Sequence, residues 1–109
     1  MPILVLRKNK VAKKIFTDIC QKWGLNEQHS ALLLNPNALK HNVLSNDSII
    51  RISHLIAIYK ALFVLAPEGR NGWIKKPNDK FNGKSALYIM TRDLNGIIEV
   101  RNYLDSQFH

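Results

Sequence analysis

"SIIRISHLIAIYKALFVLA", residues 48–66, is the longest periodic run in the chain, and the fold turns on how it is read. Its apolar residues cover most of a helical surface, interrupted only by Arg51, Ser53, His54 and Lys60. The β-branched Ile and Val would suit strands, but the length and the three- and four-residue spacing favour a helix. A helix that is apolar on most sides is packed from two directions. The run therefore reads as a central spine shared by one helical group before it and another after it. Ser45, Asn46 and Asp47 can cap its start, and Pro67 breaks it at the end.

Upstream of the spine, Val11, Ile15, Phe16, Ile19 and Trp23 recur at helical spacing and form one apolar face. Gly24 stops that helix. Asn26 can cap a second helix, "EQHSALLL", through its side-chain oxygen. Asn35-Pro36 ends the second and can open a third, "PNALKHNVL". Downstream, a short helix is expected in "EGRNGWIKK", ended by Pro77-Asn78, because a residue before proline avoids helical angles. Ser85 can cap a brief helix "ALYIM", and Asp93 starts the last, with Ile97, Val100, Arg101, Leu104 and Phe108 at three- and four-residue spacing. The Asn-Gly pairs at 71–72, 82–83 and 95–96 would normally hint at hairpins. Their flanks lack alternating apolar residues, so turns at helix ends are expected instead. The fold class is thus all-α: a small bundle of about six or seven helices around a long central one.

A chain of 109 residues with 46% apolar content can build a real core. No uninterrupted apolar run reaches the roughly 18 residues of a membrane span. The start, "MPILVLRKNK", has its charges after its apolar stretch, the reverse of a secretory signal. Cys20 is alone, so no intramolecular disulfide can form, and a cytoplasmic setting with no membrane contact is expected. The net charge is +8, which favours an anionic partner or serves solubility alone. The charge is clustered, in Arg7, Lys8, Lys10, Lys13 and Lys14, and again in Arg70, Lys75, Lys76, Lys80 and Lys84.

Catalytic signals are weak throughout. His29, His41, His54 and His109 share no metal spacing, Cys20 reads as a small core residue, and no acids pair in an apolar setting. "NGKS" at 82–85 lacks the first Gly and the preceding strand of a phosphate loop. A binding protein without cofactor or metal is expected, not an enzyme.

The run "GLNEQHSALLLNPNALKHNV" loosely fits a helix-turn-helix. Ala31 would face the second helix, Leu25 and Leu34 would pack the unit, and Asn37, Lys40, His41 and Asn42 would face the major groove. Arg7, Lys8, Lys10, Lys13 and Lys14 would lie on phosphates. A plain three-helix packing unit is the alternative.

Residues 52–105 carry a more specific pattern. It comprises a helix ending in Leu62-Phe63, then Trp73, Pro77-Asn78, Phe81, Gly83, the "ALYIM" helix, Thr91 to Gly96, and Val100 with Leu104. In order and spacing this resembles the toxin-binding domain of Xre/MbcA/ParS-type antitoxins. Residues 1–45 are similar to the Xre-like helix-turn-helix region that precedes it, leaving 46–109 as the toxin-binding domain. One departure is Ala86, where the family usually has Pro.

The resemblance implies an antitoxin that blocks a RES-domain, NAD-consuming toxin and represses its own operon as a homodimer on operator DNA. It also implies that the C-terminal region covers the toxin's cleft; a flexible basic tail entering a cleft that holds anionic NAD phosphates is our expectation for how. The expected contacts are Trp73, Lys75, Lys76, Asn78, Lys80, Lys84, Arg101, Asn102, Asp105, Ser106, Gln107 and Phe108, with Trp73 and Asn78 also able to serve the domain's own core. The rival readings are a helix-turn-helix transcription regulator without a toxin partner, and a purely structural or adaptor module.

Overall fold

The computed structural model describes residues 3–35, 44–68 and 70–108. Among these lie six α-helices: α1 (Ile3–Lys22), α2 (Glu27–Leu34), α3 (Asn46–Leu65), α4 (Arg70–Trp73), α5 (Ala86–Met90) and α6 (Leu94–Ser106). Between α4 and α5 sit strand β1 (Pro77–Asn78), a 3-10 turn (Asp79–Phe81) and strand β2 (Lys84–Ser85). The all-α expectation holds, with this small antiparallel pair added.

The helix ends follow the local chemistry of the sequence. Gly24 sits at φ +67, and the Leu25 amide returns to the Cys20 carbonyl at 2.9 Å, closing α1. The Asn26 side chain accepts from the His29 amide at 2.8 Å and starts α2. Ser45, Ser85 and Asp93 do the same for α3, α5 and α6, at 3.1, 3.0 and 2.8 Å. Asn35, itself at φ +112, ends α2. The expected third helix, residues 36–44, falls almost wholly outside the described residues. Its flanks are pinned: the Ser48 hydroxyl donates to the Leu34 carbonyl at 3.0 Å, and the Leu44 amide donates to the buried Asn9 side chain.

α3 is the spine. Ile52, Leu55, Ile58, Ala61 and Leu62 are buried between α1 and α2 on one side and α6 on the other. Each fully buried Leu or Ile stabilises the fold by about 1.5–3 kcal/mol. Counting uninterrupted apolar residues excluded a membrane span, but averaged over its length α3 is apolar enough for one, with a mean hydropathy of 1.7. A third of that window is buried in the fold, and Ile49, Ile50, Phe63, Val64 and Leu65 remain exposed.

Three local expectations need correction. Val11 and Ile15 belong to the apolar stripe of α1, yet they are 57% and 37% exposed, because only the Phe16, Ile19 and Trp23 side of the helix meets the core. The helix expected at 68–76 contracts to the single turn of α4. Finally, Asn82-Gly83 does support a hairpin. Both residues are left-handed, φ +56 and +81, and they close the 3-10 turn and lead into β2, which pairs Pro77 with Ser85 and Asn78 with Lys84. With two residue pairs, the hairpin is too short to show an alternating pattern. Asn71-Gly72 lies inside α4, and Asn95-Gly96 in the first turn of α6.

Gly96 marks the closest approach in the fold. A Cβ built there would collide with the Ile89 carbonyl, so α6 crosses α5 with no side chain between. At Gly72 a Cβ would meet nothing. Gly96→Ala is therefore expected to lower unfolding stability by about 1–3 kcal/mol or more. Gly72→Ala is expected to be neutral or to gain up to about 1 kcal/mol. Urea denaturation of both variants checks the pair.

Candidate functional site

An aromatic cluster joins α4, the 3-10 turn and α6. Trp73 and Tyr103 stack with rings 6.4 Å apart and nearly parallel at 5°, while Phe81 meets both edge-on, 6.3 Å from Trp73 and 5.5 Å from Tyr103. Phe81 is buried, and Trp73 and Tyr103 are half-buried. Such pairs add about 0.5–1.5 kcal/mol each beyond area burial. The cluster clamps the 70s loop against the last helix. Beside it runs a groove of about 300 Å³ lined by Leu62, Leu65, Ala66, Trp73, Tyr103, Leu104 and Gln107.

Several expected contact residues are engaged within the fold. The Lys75 ammonium donates to the Gly24 carbonyl at 2.7 Å, placing a cation at the C-terminal end of α1, where the helix dipole favours it. The Asn78 side chain accepts from the Lys80 amide at 2.9 Å, and its backbone carbonyl accepts from Gly83 at 3.0 Å, so it shapes the hairpin turn. Trp73 is first a packing residue, with an edge on the groove. The Arg101 guanidinium donates to His54 Nδ1 at 2.9 Å across the α3–α6 contact and reaches Asp105 at 3.5 Å.

The remaining expected contacts face outward. Lys76, Lys80 and Lys84 are exposed, with the Lys84 ammonium 5.2 Å from the Tyr88 ring centre. Asn102 is exposed, Ser106 and Gln107 bond back to the Tyr103 carbonyl at 2.6 and 3.4 Å, and Phe108 is 51% exposed. The C-terminal stretch differs from a flexible basic tail: residues 101–106 are helical, and Arg101 is offset by Asp105.

On the N-terminal side, Arg7 and Lys8 lie on α1, and Lys10 and Lys14 are exposed on it; Lys13 is half-buried. Lys10 and Lys14 sit about one helical turn apart on α1. Asn37, Lys40, His41 and Asn42 lie outside the described residues. Cys20 is buried, and burial pushes its thiol pKa up against an opposing Ser30 hydrogen bond, which suits a packing residue. Among the described residues no cluster of His, Cys, Asp or Glu could hold a metal ion. Tyr103 is not among the expected site residues, although its place three residues after Val100 and beside Leu104 marks it as facing inward.

Residues 61–109 match the family model described as "Antitoxin Xre/MbcA/ParS C-terminal toxin-binding domain". This overlaps the stretch that carries the resemblance, and it takes in the whole aromatic cluster and groove. The chain is also 43% identical over 67 residues to an uncharacterized protein, y4oB, of Sinorhizobium fredii, an alignment covering 59% of this chain and 52% of that protein. The chain thus spans about half the length of this relative. No solved structure matches it.

Two outcomes are expected. Tyr103→Ala removes the common partner of Trp73 and Phe81 and should lower stability by about 2–4 kcal/mol in urea denaturation. His54 is held neutral: burial first, and the Arg101 charge second, lower its pKa below the usual 6.5. Unfolding therefore takes up a proton at acid pH. The stability that His54 contributes is complete above about pH 6.5 and is lost as pH falls from there towards the folded-state value. His54→Asn, which keeps an acceptor for Arg101, should flatten this part of the urea-midpoint profile between about pH 7 and about pH 5.

Proposed function

We propose that this chain is an antitoxin that binds a RES-domain, NAD-consuming toxin in the cytoplasm and blocks it. The observation that carries the reading is the match of residues 61–109 to a toxin-binding domain, laid over a surface built for protein contact. A clamp of three aromatics holds the loop and α6 in one fixed relation, so a partner meets a preformed face and little ordering entropy is lost on binding.

On that face Phe108 and the exposed edge of Trp73 supply apolar anchors beside the groove. Asn102 and Gln107 supply hydrogen-bonding groups. Lys76, Lys80 and Lys84 supply positive charge that is not tied to an acid among the described residues. Such charge steers encounter with an acidic rim and sets the salt dependence of association. No group here needs to make or break a covalent bond: inhibition follows from covering the toxin's cleft.

Operator binding belongs to the same proposal. The basic face of α1 would hold phosphates, Asn37, Lys40, His41 and Asn42 would meet bases, and a homodimer would match a symmetric operator.

The test pairs the purified chain with a RES-domain protein and follows NAD consumption. The chain should suppress consumption, and a Phe108→Ala, Gln107→Ala double variant should weaken suppression by about tenfold or more while still folding. Replacing Lys76, Lys80 and Lys84 by Gln should slow association and flatten its salt dependence. Undiminished NAD consumption in the presence of the folded chain refutes the toxin reading. A gel shift on the upstream DNA tests the operator arm separately.

A further inference from the structure

A second surface lies on the side of α3 turned away from α6. There Ile49, Ser53, Ile56, Lys60 and Phe63 recur every three or four residues and face Val11, Ile15, Asp18 and Lys22 of α1 across a cleft. Two adjoining hollows, about 440 and 630 Å³, share Ile15 and Ile56 and so run on as one trough. From Ile49 to Phe63 the trough is about 21 Å long at 1.5 Å per residue, or about four helical turns. Its rims are apolar side chains in contact with water: Val11 is 57% exposed and Phe63 48%. Apolar surface of this continuity marks an interaction site.

We propose that this cleft docks an amphipathic helix of another protein whose apolar stripe is flanked by carboxylates. The lining favours a helix: Val11, Ile15, Asp18 and Lys22 of α1 and Ile49, Ile52, Ile56, Lys60 and Phe63 of α3 recur at three- and four-residue spacing, the setting in which a helix lays down i, i+3, i+4 and i+7 anchors. An isolated acyl chain would need an enclosed tunnel to leave water.

The charge selects the partner. At the Phe63 end, Lys22 on the α1 wall and Lys60 on the α3 wall both line the trough, and neither finds an acid among the described residues. Lys10 and Lys14 are exposed on α1, and Asp18, the one acid among the described lining residues, lies 3.6 Å from Lys14. Two copies docked trough to trough would bring these lysine-bearing walls together, which like charge disfavours. A helix bearing Glu or Asp beside its stripe would neutralise both walls. This surface shares no residue with the toxin-binding face proposed above, so the two stand or fall separately.

The experiment uses the whole chain and two synthetic helical peptides with one Leu stripe, flanked by Glu in the first and by Lys in the second. Fluorescence anisotropy should show the Glu peptide binding about tenfold or more tightly than the Lys peptide, with the difference shrinking in high salt. Lys22→Glu with Lys60→Glu should reverse the preference. Ile15→Asp, at a trough-lining residue that is 37% exposed, should weaken binding of the Glu peptide, and circular dichroism reports whether the fold persists. Lys76→Glu with Lys80→Glu changes net charge equally at the distant loop and should leave the preference intact. Equal binding of both peptides overturns the proposal. So does an equal response to the two double variants, which would assign the effect to overall charge. So does sedimentation showing a dimer that Ile15→Asp dissolves while neither peptide binds, since the occupant is then a second copy.

Discussion

The burial of α3 from two sides is the constraint on which the other features rest. Leu55 and Ile58 have no contact with solvent because α1 and α2 press on α3 from one side and α6 from the other. A helix so placed can carry few charges, and those it has are managed locally: Arg51 pairs with Asp47 at 2.8 Å, and His54 stays neutral beneath Arg101. The spine fixes where each half of the chain can present a surface. α6 and the aromatic clamp lie on one side, and the open cleft with α1 lies on the other.

The region between α4 and α5 shows how a loop with almost no regular structure becomes rigid. Stacking of Trp73 on Tyr103 fixes its body. The Asn78 side chain and two consecutive left-handed residues fix its turn. The Leu87 amide donates to the Ile74 carbonyl at 2.8 Å and anchors its end. Lys75 reaches over 50 residues back in sequence to the end of α1, so the loop and the N-terminal half are mechanically tied. Residues that resemble free contact groups in the sequence are thus divided. Lys75, Asn78 and Arg101 bond within the domain, while Lys76, Lys80, Lys84, Asn102 and Phe108 are left exposed.

Charge and apolar exposure combine differently on the two faces. On the loop the lysines stand apart from the apolar groove and act at long range. In the α1–α3 cleft they border apolar carbon directly, where a carboxylate would be both attracted and partly desolvated. A net charge of +8 is therefore consistent with protein partners as well as with nucleic acid.

The sequence by itself determined the helical class, the central helix and the helix ends that carry a local cap. Gly24, Asn26, Ser45, Ser85 and Asp93 act on groups within four residues, so their effect is legible without any tertiary contact. It also carried the family pattern of the C-terminal half, because Trp73, Phe81, Gly83 and Gly96 sit at fixed offsets along one short stretch. It did not decide which side of α1 would be buried. Val11, Ile15, Phe16 and Ile19 have the same hydrophobicity pattern, and only the position of α3 leaves the first two in water. Nor did it assign Lys75 to Gly24, Arg101 to His54 or Tyr103 to Trp73, since each pair joins residues at least 30 positions apart. Short-range backbone chemistry sets where helices start and stop. Which side chains remain available to another molecule is set by long-range packing, and that exists only once the chain has folded.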